Sequence, residues 1–346
     1  MEVNRGPDAP FAQQPGSPWR IAFTRKELAI GIAGTLFFFF SAFAIPIVGI
    51  FVSIFTPLPT LLSLYRFGPP WGYWIPGGSA VASLPLLIYL GFTPNIGYLL
   101  GMLFLGFLLA EGMRQHWSIE KTVGISGVAV FCFFALVFWV TSGGLSGQFL
   151  QELEGELQIN VEGTLQYYES IGFSFDKPGV RQAIQDIIPL FVRILPGAAL
   201  ASSLLGAWLN VLIAYRFCRV HRLPLPAWRD LSQWRAPEVL VWGVIAAGCM
   251  MLVPAPAARI LGLNLLLVLG VTYLLQGLAI AAFYFDRWKL PRLLRAIFYA
   301  LVFLQQLATI AIILGGLFDV WLNFRRLPPP GGPSTETDSG SPGNAG

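Results

Sequence analysis

The sequence predicts an all-α, polytopic transmembrane helix bundle, and three observations carry that prediction. Hydrophobic residues make up 55% of the 346-residue chain and charged ones only 12%, about half of the roughly 25% that covers a soluble domain. The charges are gathered into short clusters that leave uncharged runs at 28–65, 67–110, 122–151, 194–215, 239–258, 260–285 and 296–318. A spanning helix needs about 20 apolar residues, so the two longest runs hold two spans each. That makes about nine spans, with eight as the alternative. The third observation is the side on which the basic residues fall. With the N-terminus inside, 16 of the 22 Lys and Arg lie in segments on the inner side, as expected when basic loops resist translocation.

Taken in order, residues 1–24 are rich in Pro, Gly, Gln and Ala and are expected to be disordered. Trp19, Arg20, Arg25 and Lys26 mark a basic, aromatic interface before the first span, 27–44, which has no A-x-A-like exit and so reads as an anchor. The aromatic stripe Phe37–Phe40 reads as lipid-facing or as core filler. The second span, about 47–66, lies in the stretch AIPIVGIFVSIFTPLPTLLSLYRFGPPWG, broken by Pro46, Pro57, Pro59, Pro69 and Pro70. Each proline removes a backbone donor, and a carbonyl freed at membrane depth needs another partner. This stretch is therefore expected to be enclosed by other helices. Spans three and four cover about 73–91 and 95–114, joined by a turn at Gly91–Asn95; Gly97 and Gly101 form a GxxxG suited to a close helix contact.

After span five, 121–142, the character changes. From Gly143 to Asp186 there are seven acidic residues against Lys177 and Arg181. Leu150, Leu153, Leu157, Val161, Leu165 and Tyr168 recur at helical spacing, predicting an amphipathic, extracytoplasmic helical loop over 143–186. Span six, about 187–215, carries Pro189, Arg193 and Pro196 and exits into Arg216, Arg219, Arg222, Trp228, Arg229, Trp234 and Arg235. That loop is suited to anionic lipid headgroups or a cytosolic partner, and as plain positive-inside signalling it needs neither. Spans seven to nine are expected at about 238–254, 260–285 and 296–322, followed by a disordered tail, 327–346. Residues 25–326 read as one transmembrane domain. One misfit remains in the charge count: it leaves Arg325 and Arg326 on the outer side, with interfacial anchoring as their only role.

Polar groups in a span are costly unless partnered, so they are the functional candidates. These are Arg193, Asn210, Asn264, Gln276 and Asp319, with Gln305 and Gln306 beside them. For the amides, interhelical hydrogen bonding is the plain structural alternative. For Arg193 it is snorkelling to the interface, and for Asp319 an ordinary helix-end ion pair with Arg325. Gln276 is expected to point into the bundle near the proline-broken second span. The prolines at 46–59 and 189–196 suggest interrupted helices in both halves of the chain, a pointer to a midplane site. No GxSxG, HExxH, P-loop, GxGxxG or DxD motif is present, and Cys132, Cys218 and Cys249 have no CxxC spacing. The expectation is a non-enzyme with no metal, no cofactor and no nucleic-acid partner. The lipid bilayer is the expected partner, with an unknown small molecule as a further one.

The residues resemble a known family. IPIVGIFVSIFTPLPTLLSLYRFG, then YYESIGF and ILPGAALASSLLGAWLNVLIAYRF, then LGLNLLLVLGVTYLLQGLAIAAFYF and GLFDVWLNFRR are similar in order and spacing to the DUF2232, or YybS-like, bacterial membrane proteins. The resemblance covers about 25–326 and implies a multi-pass protein of the bacterial plasma membrane with no assigned function. PLPTLLSLYRFGPPWG is also similar to the second-helix region of energy-coupling-factor S components. That likeness implies small-molecule binding of the kind vitamin-binding membrane subunits perform. The other reading is a non-catalytic scaffold that acts through partner proteins.

Overall fold

A computed structural model describes residues 24–45, 48–141, 147–170, 179–226, 228 and 231–326. The expectations for 1–23 and 327–346 lie outside the described residues. Twelve α-helices and no strands occur among the described residues. Contacts divide the chain into two compact units, Met1–Trp228 and Arg229–Gly346, each described by itself.

The first unit begins with α1 (Arg25–Ala44). Thr24 Oγ1 accepts the Glu27 amide and a Glu27 carboxylate oxygen accepts the Thr24 amide, both at 3.3 Å, a reciprocal cap that fixes the helix start. Glu27 also pairs with Arg66 at 2.9 Å. The aromatic stripe divides by helical geometry: Phe37 is 63% exposed, whereas Phe39 is buried with Leu87, Leu99 and Leu103. The second span is split into α2 (Val48–Ser53) and α3 (Pro57–Phe67). Then come α4 (Trp74–Leu90), α5 (Ile96–Arg114) and α6 (Ile119–Thr141). The GxxxG of α5 does make a close contact. A Cβ added at Gly101 would collide with the Phe134 ring, and one at Gly97 would stand 3.3 Å from Val137, both on α6.

The acidic segment forms α7 (Gly147–Ser170), which packs against α8 (Val180–Val220). Leu153, Leu157 and Val161 are half-buried and Leu165 is buried, while Glu156 and Ile159 are exposed. The amphipathic stripe is thus turned inward over these positions. The helix α8 runs unbroken for 41 residues through Pro189 and Pro196, so the interruption expected at 189–196 does not occur. Proline removes a donor and crowds one turn, yet a helix held by its neighbours continues past it.

In the second unit, α9 (Leu240–Leu252) has 13 residues. At 1.5 Å per residue that is about 20 Å, short of the roughly 30 Å hydrocarbon core. The full span expected at 238–254 is therefore a shorter apolar helix. Next is α10 (Pro256–Arg287), 32 residues long. The expected ninth span divides at Gln305 into α11 (Arg292–Leu304) and α12 (Gln306–Leu322), bent by 102° to one another. Gln305 is extended at the bend, its amide bonds Leu301 O, and Thr309 Oγ1 donates to Val302 O. Among the described residues seven helical stretches are long and apolar enough to cross a membrane, with α2 and α3 counting together as the one stretch Val48–Phe67, or eight if the bent α11–α12 pair counts as one span.

The bend explains the charge misfit. Tyr284, near the end of α10, donates to Phe324 O at 2.8 Å, and Arg325 donates to Ser232 O and Trp234 O. The end of α12 therefore lies at the same end of this unit as the 231–236 segment and the end of α10. Arg325 thus lies at the end of this unit that holds Arg235 and the basic residues following α10, not opposite them as the charge count had placed it.

The crossing of α10 and α12 is built on glycine. A Cβ at Gly316 would collide with Tyr273 O, and one at Gly277 with Ile312 O, whereas Gly315 faces open space. Overpacking of this kind costs about 1–3 kcal/mol. Gly316→Val should lower the thermal midpoint of the detergent-purified protein, and Gly315→Ala should leave it in place; equal midpoints would mean that the two helices do not cross this closely.

Candidate functional site

Two buried polar clusters stand out, one in each unit. In the first unit the broken span provides the cause. Pro57 and Pro59 have no amide proton, and the residues between α2 and α3 switch to tighter turns: Phe55 N bonds Val52 O at 3.1 Å, Thr56 N bonds Ser53 O at 3.0 Å and Leu58 N bonds Phe55 O at 3.0 Å. In a regular helix Leu58 N would have gone to Ile54 O. That carbonyl instead accepts the side-chain amide of Asn210, at 2.9 Å, from α8. The same nitrogen donates to Gly206 O at 2.8 Å.

Asn210 is wholly buried and its Oδ1 has no hydrogen-bond partner. Thr60 Oγ1 on α3 and Ser126 Oγ on α6 are also buried without one. Gly106 of α5 lies so close that an added Cβ would stand 2.6 Å from Pro57 O and 2.8 Å from Thr60 Cβ. Thr60 stands about 10 Å along the axis from the Phe67 end of α3, Ser126 about 10 Å from the start of α6, and Asn210 about 15 Å from the end of α8. At such depth an unsatisfied oxygen costs about 1–3 kcal/mol. At the near end, Tyr65 donates to Pro224 O at 2.7 Å, and Trp228 stacks on Tyr215 and donates to Trp117 O at 2.7 Å.

In the second unit Gln276 and Asp319 are brought together. Gln276 Nε2 donates to Asp319 Oδ2 at 3.2 Å, and Gln276 Oε1 accepts the Ala236 amide at 3.2 Å. Asp319 Oδ2 also pairs with Arg325 at 2.9 Å, both side chains fully buried. Asp319 Oδ1 accepts the Phe324 amide at 2.8 Å. Asn323 ends α12 in the left-handed region, at φ 43°, an αL cap that asparagine adopts more readily than most residues. That turn lets Arg325 fold back over Asp319. Arg325 then donates to Ser232 O at 2.8 Å and Trp234 O at 3.0 Å, while Arg235 donates to Asn323 Oδ1. Burial pushes the Arg325 guanidinium below its ordinary pKa, and Asp319 pulls it back up.

The other expectations resolve individually. Gln276 does point inward, but to Asp319 and Ala236 N, not to the proline-broken span; the carbonyl freed there is taken by Asn210. Asn264 donates to Ile260 O of its own helix, at 2.8 Å. Arg193 lies exposed on α8, and Gln305 and Gln306 are exposed at the bend. Sequence reasoning missed the part played by Asn323, Arg235 and the 232–236 backbone. The available signal was an asparagine directly after the last apolar turn, followed by Phe324 and two arginines. Among the described residues no three His, Cys, Asp or Glu side chains are grouped to hold a metal.

Long apolar helices around buried, internally bonded polar clusters define a multi-pass helical membrane protein. The profile of the family described as "Predicted membrane protein (DUF2232)" matches residues 33–320, and the chain belongs to that family. It is similar to the uncharacterized protein YybS of Bacillus subtilis (strain 168), at 21% identity over 293 residues, covering 81% of this chain and 90% of the relative. No solved structure matches it.

Removing one member of a buried ion pair strands its partner and costs about 3–5 kcal/mol. Asp319→Asn should therefore lower stability by that order in thermal or denaturant unfolding. Gln276→Leu, which leaves the Ala236 amide unbonded, should cost about 1–3 kcal/mol. If Asp319→Asn cost no more than Gln276→Leu, the buried ion pair would not be holding the unit together.

Proposed function

We propose that the chain is a non-catalytic integral protein of the bacterial plasma membrane that binds or carries a small molecule, with its N-terminus cytoplasmic. The observation that carries this reading is the split second span at α2–α3, where Asn210 is buried with a bonded amide nitrogen and an open Oδ1. Discontinuous helices with exposed backbone dipoles are where membrane transporters place substrate and ion sites. The bend at Gln305 supplies a second interruption in the other half of the chain. A scaffold role is the second reading, favoured by the acidic α7 with Ile159 74% exposed. Either role leaves the basic exit of α8 suited to an anionic lipid or a cytosolic partner.

The test is stabilisation by ligand. Small-molecule extracts of native membranes should raise the unfolding midpoint of the purified protein, and Asn210→Leu should fold yet lose the response. A stoichiometric protein partner with no stabilising small molecule would select the scaffold instead.

Sidedness has its own measurement. In a background lacking the native cysteines, external labelling of intact cells should modify Ser170→Cys and spare Arg222→Cys and Arg326→Cys; the reverse pattern would invert the topology.

A further inference from the structure

The second unit holds more positive charge than its buried acid can balance. Both Asp319 oxygens are engaged: they accept Gln276, Arg325 and the Phe324 amide. Among the described residues the ion-pair partner of Asp319 is Arg325. Arg235 approaches the same knot from the 231–236 segment and donates to the neutral Asn323 Oδ1. Both guanidiniums keep a buried Nε with no hydrogen-bond partner. Among the described residues this leaves a buried cation, Arg325, and a half-buried one, Arg235, beside one buried carboxylate. A buried cation without a counter-charge is costly, and an arginine fork is shaped for an oxyanion.

Location supports an anion arriving from the membrane surface. At this end of the unit stand the exposed Arg287, Lys289 and Arg326, with the exposed Trp288 beside them. Tryptophan and cations together mark the headgroup level of a bilayer, and basic pockets between spans accept anionic headgroups. We propose that Arg235 and Arg325 form a binding site for a phosphate-bearing anion, either a lipid headgroup or free phosphate, at the end of α12. The site is independent of Asn210, which belongs to the other unit. A carboxylate of the chain itself is the competing occupant: Asp230 is near in sequence and lies outside the described residues.

The experiment uses the full-length protein in a maltoside detergent, with unfolding midpoints followed at matched ionic strength. The probes are inorganic phosphate, short-chain phosphatidylglycerol and short-chain phosphatidylcholine. Phosphatidylglycerol should raise the midpoint saturably and well beyond phosphatidylcholine. A comparable rise with inorganic phosphate assigns the site to free phosphate, and no such rise assigns it to the lipid headgroup.

Arg235→Gln should weaken the half-saturating concentration by about tenfold or more, the worth of one charge-assisted hydrogen bond. Arg235→Lys should recover only part of it. Arg325→Gln removes the ion pair as well and tests folding, so Arg235 carries the decision. Asp230→Asn should leave the anion response in place. The proposal is overturned if neither phosphate probe stabilises the wild type or if Arg235→Gln responds like the wild type. It is equally overturned if Asp230→Asn destabilises the protein as much as Asp319→Asn, because the counter-charge would then be the chain's own.

Discussion

A backbone carbonyl freed inside a bilayer cannot turn to water, and much of this structure answers that one constraint. Proline at 57 and 59 breaks the second span, and Ile54 O becomes an acceptor that must be served from another helix. Asn210 serves it, at 2.9 Å, and in doing so ties α8 to the break. The same rule governs the other end of the chain. The 232–236 backbone is not helical throughout, and its groups are met by Gln276 and Arg325. Of the buried side-chain atoms left without a partner, Asn210 Oδ1 and the two arginine Nε atoms are the molecule's most specific candidates for ligand chemistry.

Hydrophobic burial does not hold such helices together, because lipid is as apolar as leucine. Close approach does. Gly101 under Phe134, Gly106 against Pro57 O, and Gly316 against Tyr273 O each remove a side chain where two helices meet. The α10–α12 crossing has a further consequence, since it places Asp319 beside Gln276 and so creates the buried ion-pair knot. Packing and polar chemistry are coupled at that point. A residue that widened the crossing would also separate the hydrogen-bonded groups.

The two clusters differ in kind. The one at α2–α3 is neutral and built from oxygen atoms and one amide. The one at α12 is ionic and sits beside exposed cations and tryptophan. A neutral polar cluster deep in a bundle suits a small molecule, and a cationic rim suits an anion at the membrane surface. Nothing in the family match or in the relative YybS, itself uncharacterized, assigns either role.

Composition and charge spacing by themselves determined that this is a multi-pass helical protein, because roughly 20 uncharged apolar residues in succession have no other stable environment. The same is true of the acidic amphipathic helix, whose leucine spacing is a local property, and of the break at 54–57, since proline acts on its own turn. Gln276, Asn210 and Asp319 could be named as costly groups from sequence. Their partners could not, because Asn210 meets Ile54 across 156 residues and Gln276 meets Asp319 across 43. Pro189 and Pro196 show the converse: the local rule favoured a break, and packing held the helix together. Only tertiary structure decided that the last apolar run turns back at Gln305. A run of apolar residues specifies burial in the membrane but carries no record of direction, and direction is what placed Arg325 over Asp319.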